Sequence, residues 1–115
     1  MSVADEVVRL ADLADTELYA RLGAELYGES REISPGSLDR LSERGRRWFD
    51  TWFSASREAI CTYPAIIALQ DAEEATRMQE AAALVDALLA LRAAPPVASA
   101  AAILLRRGVR RICGR

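Results

Sequence analysis

The sequence predicts an all-α protein, a single compact bundle of four to five mostly antiparallel helices spanning residues 1–115. Three observations carry the prediction. Apolar residues recur at spacings of three and four along most of the chain, and no stretch shows the strict alternation of a half-buried strand. Hydrophobic residues make up 51% and charged residues 28% of the sequence, a balance that supports a core and argues against disorder. Glycines, prolines and capping residues cut the chain into helix-sized pieces.

The first helix is expected over residues 3–13, with Ser2 as cap and Asp5 and Glu6 at the positive end of the helix dipole. Asp15 or Thr16 then starts a second helix, 15–27, whose apolar side is Leu18, Tyr19, Leu22 and Leu26, and Gly28 ends it. Residues 28–36, GESREISPG, read as the clearest linker. The third helix, 36–61, is amphipathic. One stripe carries Leu41, Gly45, Trp48, Phe49, Trp52 and Phe53, and the opposite side carries Arg40, Glu43, Arg44, Arg47 and Asp50. Pro64 stops it. The run AIIALQ at 65–70 leads into a fourth helix, 71–91, with Leu84 and Leu88 on its inner face. A double proline at 95–96 precedes the fifth helix, 97–113, which is apolar and alanine-rich in its first half and arginine-rich in its second. Helices three and four are expected to form the central hairpin.

Composition excludes several kinds of chemistry. All 15 basic residues are Arg, and His, Lys and Asn are absent. The chain thus lacks the commonest general base and metal ligand, as well as the residue needed for Schiff bases and Walker-type phosphate loops. Neither cysteine belongs to a CxxC, so no zinc site, metal centre or cofactor is expected. The carboxylate pairs Asp12/Asp15 and Asp71/Glu74 lie at helix starts, where capping accounts for them. The expectation is therefore a non-enzyme with no catalytic residue. The Arg and Ala bias suggests a GC-rich bacterial genome. An acidic opening, MSVADE, without an apolar segment gives no signal peptide, so a cytoplasmic location is expected, with Cys61 and Cys113 as reduced thiols packed like small hydrophobes. Their pairing stays open at this stage.

Four groups of side chains are candidates for core or function. The expected core comprises Leu41, Trp48, Phe49, Trp52, Phe53, Leu84 and Leu88. Apolar residues around more of helices four and five than a bundle can bury make Ile66, Ile67, Ile103, Leu104 and Leu105 an expected interface. Arg106, Arg107, Arg110 and Arg111 are candidate anion ligands, although cations also simply suit a helix C-terminus. Gly45 and Gly108, inside helices where Gly costs about 1 kcal/mol relative to Ala, suggest close helix approach. The leading functional expectation is a non-catalytic protein–protein interaction module, such as an adaptor, regulator or accessory subunit of a signalling or defence-type system, whose partner is another protein or a second copy. The alternative is a regulatory module that binds an anionic ligand or membrane surface through the arginines of the last helix. A net charge of −2 and the lack of a motif disfavour nucleic acid. The apolar half of the last helix is too short to span a bilayer, leaving only peripheral membrane contact.

Overall fold

In the computed structural model, which describes residues 2–27, 35–91 and 95–114 (side chains of 35–37 apart), every regular element is a helix. In order they are α1 (Val3–Leu10), α2 (Asp15–Tyr27), α3 (Pro35–Cys61), α4 (Pro64–Asp71), α5 (Arg77–Leu89), α6 (Val97–Arg107) and α7 (Val109–Cys113). The expected all-α class holds, while the helices among the described residues number seven instead of four or five. Most of the expected linker and the start of the proline connection, residues 28–34 and 92–94, lie outside the described residues.

Local chemistry accounts for each extra break. At α1, Ser2 Oγ accepts from Asp5 N (3.2 Å), and Ser2 N donates to Asp5 Oδ2 (3.1 Å). The bond from the Ser2 backbone holds the Asp5 carboxyl below its usual range. This capping contact is therefore present above that range and lost as pH falls through it. The expected fourth helix is two helices. The AIIALQ run forms α4, entered through Pro64 at its first position, and the chain turns extended at Ala72 (φ −77°, ψ 137°). A second capping box then starts α5: Thr76 Oγ1 accepts from Gln79 N (3.1 Å), and Thr76 N donates to Gln79 Oε1 (2.9 Å). The expected fifth helix breaks at Gly108. Its φ of 93° lies where side chains are disfavoured, and no atom sits within 4 Å of where its Cβ would be. Gly108 is thus a hinge between α6 and α7, and the packing role expected for it belongs to Gly45 and Gly23.

Those two glycines let α2 and α3 cross backbone to backbone. A Cβ on Gly45 would overlap the Tyr19 carbonyl oxygen and lie 3.1 Å from Gly23 N, and one on Gly23 would overlap the Leu41 carbonyl oxygen. Neither α3 nor its successor forms the centre of the molecule. That position belongs to α6, which packs against α1, α2 and α5. Seven consecutive residues, Ser99 to Leu105, are buried. A helix that is apolar all round is a buried helix, and Ser99, its one buried polar side chain, donates to Glu25 Oε1 at 2.8 Å. Ile103, Leu104 and Leu105, expected at an interface, are 2%, 0% and 4% exposed and belong to the core, as does Ile66 at 0%. Within that set Ile67 alone is exposed (38%).

The expected aromatic core is also modified. Phe49 is fully buried, as are Leu84 and Leu88, and Leu41 is 5% exposed. Trp48, Trp52 and Phe53 are half-buried around Phe49, with the two indoles stacked at a centroid distance of 5.6 Å. The two cysteines are not free thiols. Cys61, the last residue of α3, is bonded to Cys113, the last of α7, across 52 positions of sequence. The covalent link fixes the short α7 against the end of α3, and Arg57 Nε reinforces it by donating to Ile112 O at 2.7 Å.

Three outcomes follow from this packing. Gly45→Ala should lower stability by about 1–3 kcal/mol in urea denaturation, because the methyl group meets backbone that cannot rotate away. Phe49→Ala should cost about 3–5 kcal/mol, and Trp48→Ala clearly less, since only part of its indole leaves water; equal losses would refute the ordering. Opening the Cys61–Cys113 bridge with a dithiol should cost roughly 4 kcal/mol, the chain entropy of a closed loop of this length, measured by denaturation of the oxidised and reduced forms.

Candidate functional site

The arginines of the last two helices are held at specific places. Arg106 closes the α1–α2 corner: its Nε donates to Asp15 Oδ1 at 2.6 Å and an Nη to Ala11 O at 3.0 Å. Arg107 points to the α2–α3 crossing, donating to Tyr19 Oη at 2.6 Å and to Asp50 Oδ1 at 3.4 Å, with its guanidinium 4.8 Å from the Phe49 ring centroid. Arg110 turns the other way and donates to Ala72 O, clamping α7 to the α4–α5 connection. Arg111, on the exposed side of α7, projects beside Arg107. The four candidate anion ligands are therefore not one patch. Arg106, Arg107 and Arg111 share a cleft, and Arg110 belongs to a different surface.

The cleft gains a fourth guanidinium that sequence reasoning did not associate with it. Arg46 lies with its guanidinium carbon 4.7 Å from the Tyr19 ring centroid. The glycine crossing accounts for this: Gly45 presses on the Tyr19 backbone, and the next residue necessarily reaches the Tyr19 side chain. Arg46, Arg106, Arg107 and Arg111 thus line one cavity of about 280 Å³ between α2, α3, α6 and α7. Its floor is the buried trio Leu18, Tyr19 and Ile103. Among the described residues, ion pairs engage Arg21, Arg47, Arg77, Arg106 and Arg107, so Arg46 and Arg111 bring charge that no described carboxylate pairs. Buried apolar walls beneath exposed cations reduce screening and focus a positive potential in the cleft, although the chain as a whole is net −2.

A second concavity of about 540 Å³ adjoins the first and shares Arg107 and Arg111 with it, adding Asp50, Phe53, Ser54, Arg57 and Ile112. A third cavity, of about 580 Å³, lies on another face between α4, α5 and α7. It is rimmed by Glu73, Glu74 and Glu80 around Arg110, whose guanidinium is already occupied by the Ala72 carbonyl. Among the described residues no group of three His, Cys, Asp or Glu side chains is placed to hold a metal ion, and no helix is long and apolar enough to cross a membrane. Among the described residues, the exposed large apolar side chains Val3, Tyr27, Ile67, Met78 and Leu89 come from four different helices, and the single exposures ordinary on a protein surface account for them.

Compared with protein-family models, with curated proteins and with solved structures, the chain matches none.

The arrangement is suited to holding an anion. Guanidinium groups present planar forks of donors that match phosphate, sulfate and carboxylate oxygens and cannot lose their charge. Tyr19 Oη, which accepts from Arg107, keeps its own proton to donate.

Proposed function

We propose that the protein is a non-catalytic recognition module that binds an anionic group in the cleft of Arg46, Arg106, Arg107 and Arg111. The observation that carries this reading is the convergence of four guanidinium groups from three helices on one small cavity in an otherwise acidic chain. Two of the four, Arg106 and Arg107, are held in place by Asp15, Ala11, Tyr19 and Asp50, so the cost of ordering them is met on folding and not on binding.

The interaction-module reading drew its support from apolar surface on α4 and α6. With Ile66, Ile103, Leu104 and Leu105 inside the core, only Ile67 of that set remains exposed. The reading continues in a narrower form, in which a partner protein presents the anionic group to the arginine cleft. The bridge between Cys61 and Cys113 replaces the reduced thiols expected to follow from a cytoplasmic location, and such bonds persist mainly in oxidising compartments.

Phosphate should raise the melting temperature by several degrees over chloride at matched ionic strength, equivalent to roughly 1–2 kcal/mol of linked stabilisation. The exposed pair Arg46→Gln and Arg111→Gln should abolish that difference while leaving the melting temperature in chloride nearly unchanged. Equal melting curves in phosphate and chloride for the unaltered protein would sink the proposal.

A further inference from the structure

The two adjoining cavities differ in character, and that difference carries information about the ligand. Four arginines line the first; Asp15, also in that lining, pairs with Arg106, while Asp50, in the lining of the second, pairs with Arg107. An excess of two positive charges remains, and it sits on Arg46 and Arg111 at the exposed rim. A dianion neutralises that excess and a monoanion leaves half of it. The second cavity begins where the first ends, at the shared Arg107 and Arg111, and opens onto the half-buried ring of Phe53, the buried Ile112 and the Ser54 hydroxyl, with Asp50 and Arg57 completing its lining. Its volume, about 540 Å³ against about 280 Å³, is more than an oxyanion requires. An oxyanion alone would use the first cavity and leave the Phe53 side of the second one idle.

Resting on the anion-binding reading above, we infer that the ligand is a phosphomonoester whose ester group is a flat apolar ring. The phosphoryl dianion lies among Arg46, Arg106, Arg107 and Arg111, and the ring lies across the Phe53 and Ile112 ledge, with Arg107 and Arg111 covering the ester linkage between them. Guanidinium planes suit both tasks at the junction, since they donate to phosphate oxygens at their edges and stack on rings with their faces. Phe53 is a specificity-determining residue under this assignment, and the four arginines are the affinity-determining ones.

The test is titration calorimetry on the oxidised protein with inorganic phosphate, phenyl phosphate and phenyl sulfate. Phenyl phosphate should bind roughly tenfold more tightly than inorganic phosphate, the scale of one aromatic face leaving water against Phe53. Phenyl sulfate, a monoanion of the same shape, should bind more weakly than phenyl phosphate. Phe53→Leu keeps an apolar side chain over the core and should reduce the phenyl advantage while leaving the affinity for inorganic phosphate unchanged. Phosphotyrosine, an aryl phosphate, should bind at least as tightly as phenyl phosphate, and adenosine monophosphate, whose ester group is a ribose, should bind more weakly; tighter binding of adenosine monophosphate than of both would overturn the direct attachment of the ring. Equal binding of phenyl phosphate and inorganic phosphate would overturn the ring assignment and leave the anion site standing. Phenyl sulfate binding as tightly as phenyl phosphate would overturn the dianion assignment. If none of the three bound, the anion site itself would fall, and this inference with it.

Discussion

The contact on which the rest of the molecule depends is the crossing of α2 over α3 at Gly23 and Gly45. Side chains normally hold helix axes 8–10 Å apart. Here the absence of two Cβ atoms brings the α3 backbone at Gly45 onto the Tyr19 carbonyl oxygen and the α2 backbone at Gly23 onto the Leu41 carbonyl oxygen. The close approach sets the position of everything nearby. Tyr19 meets the Phe49 ring edge-on at 6.1 Å, Arg46 is carried onto the other side of Tyr19, and Asp50 comes within reach of the end of α6. Cleft geometry is therefore a consequence of backbone packing two glycines away, and loosening the crossing would spread the arginines before it unfolded the chain.

Helix α6 supplies the second constraint. Its buried seven-residue run forces its polar ends to carry all of its connections to water. At one end Ser99 reaches Glu25, and at the other Arg106 and Arg107 reach the α1–α2 corner and the crossing. The arginines lie where a helix C-terminus favours cations, so their structural and recognition roles are compatible: the dipole and the clamping partners keep two guanidinium groups in place, and the neighbouring Arg46 and Arg111 can respond to a ligand. The long side chains also cover apolar surface with their stems, as Arg107 does over Phe49.

Much of the fold was legible in the sequence, and the failures have specific causes. Helical periodicity, the Ser2 and Asp15 starts and the extent of α2 needed no tertiary information. The Thr76 to Gln79 box was present as T-R-M-Q, but the acidic run at Asp71, Glu73 and Glu74 is an equally good dipole signal for an earlier start, and the extended Ala72 decides between them. The apolar circumference of α6 has two meanings, a buried helix or an interface, and periodicity alone does not separate them; enclosure by α1, α2 and α5 does. Gly45 and Gly108 look alike in sequence, yet one needs room and the other needs a backbone angle. Of the cleft, Arg106, Arg107 and Arg111 could be read as a local cluster. Arg46 could not, because it sits 60 positions before Arg106 on α3, and only the crossing brings it there.

The bridge from Cys61 to Cys113 also divides the chain mechanically. Residues up to Cys61 lie outside the covalent loop, and nearly everything after them lies inside it. Force applied at residues 2 and 114 would run through α1, α2 and α3 and then cross directly to the end of α7. The chain between the cysteines, a sequence separation of 52, would bear no load, and roughly 170–190 Å of contour would stay hidden from extension. Under tension the α2–α3 crossing would lie in the load path, while α4, α5 and α6 would be relieved of it. The arginine cleft straddles that division, with Arg46 on the loaded segment and Arg106, Arg107 and Arg111 on the shielded one. A pull on the chain would therefore separate the two halves of the cleft while the enclosed half kept its covalent boundary.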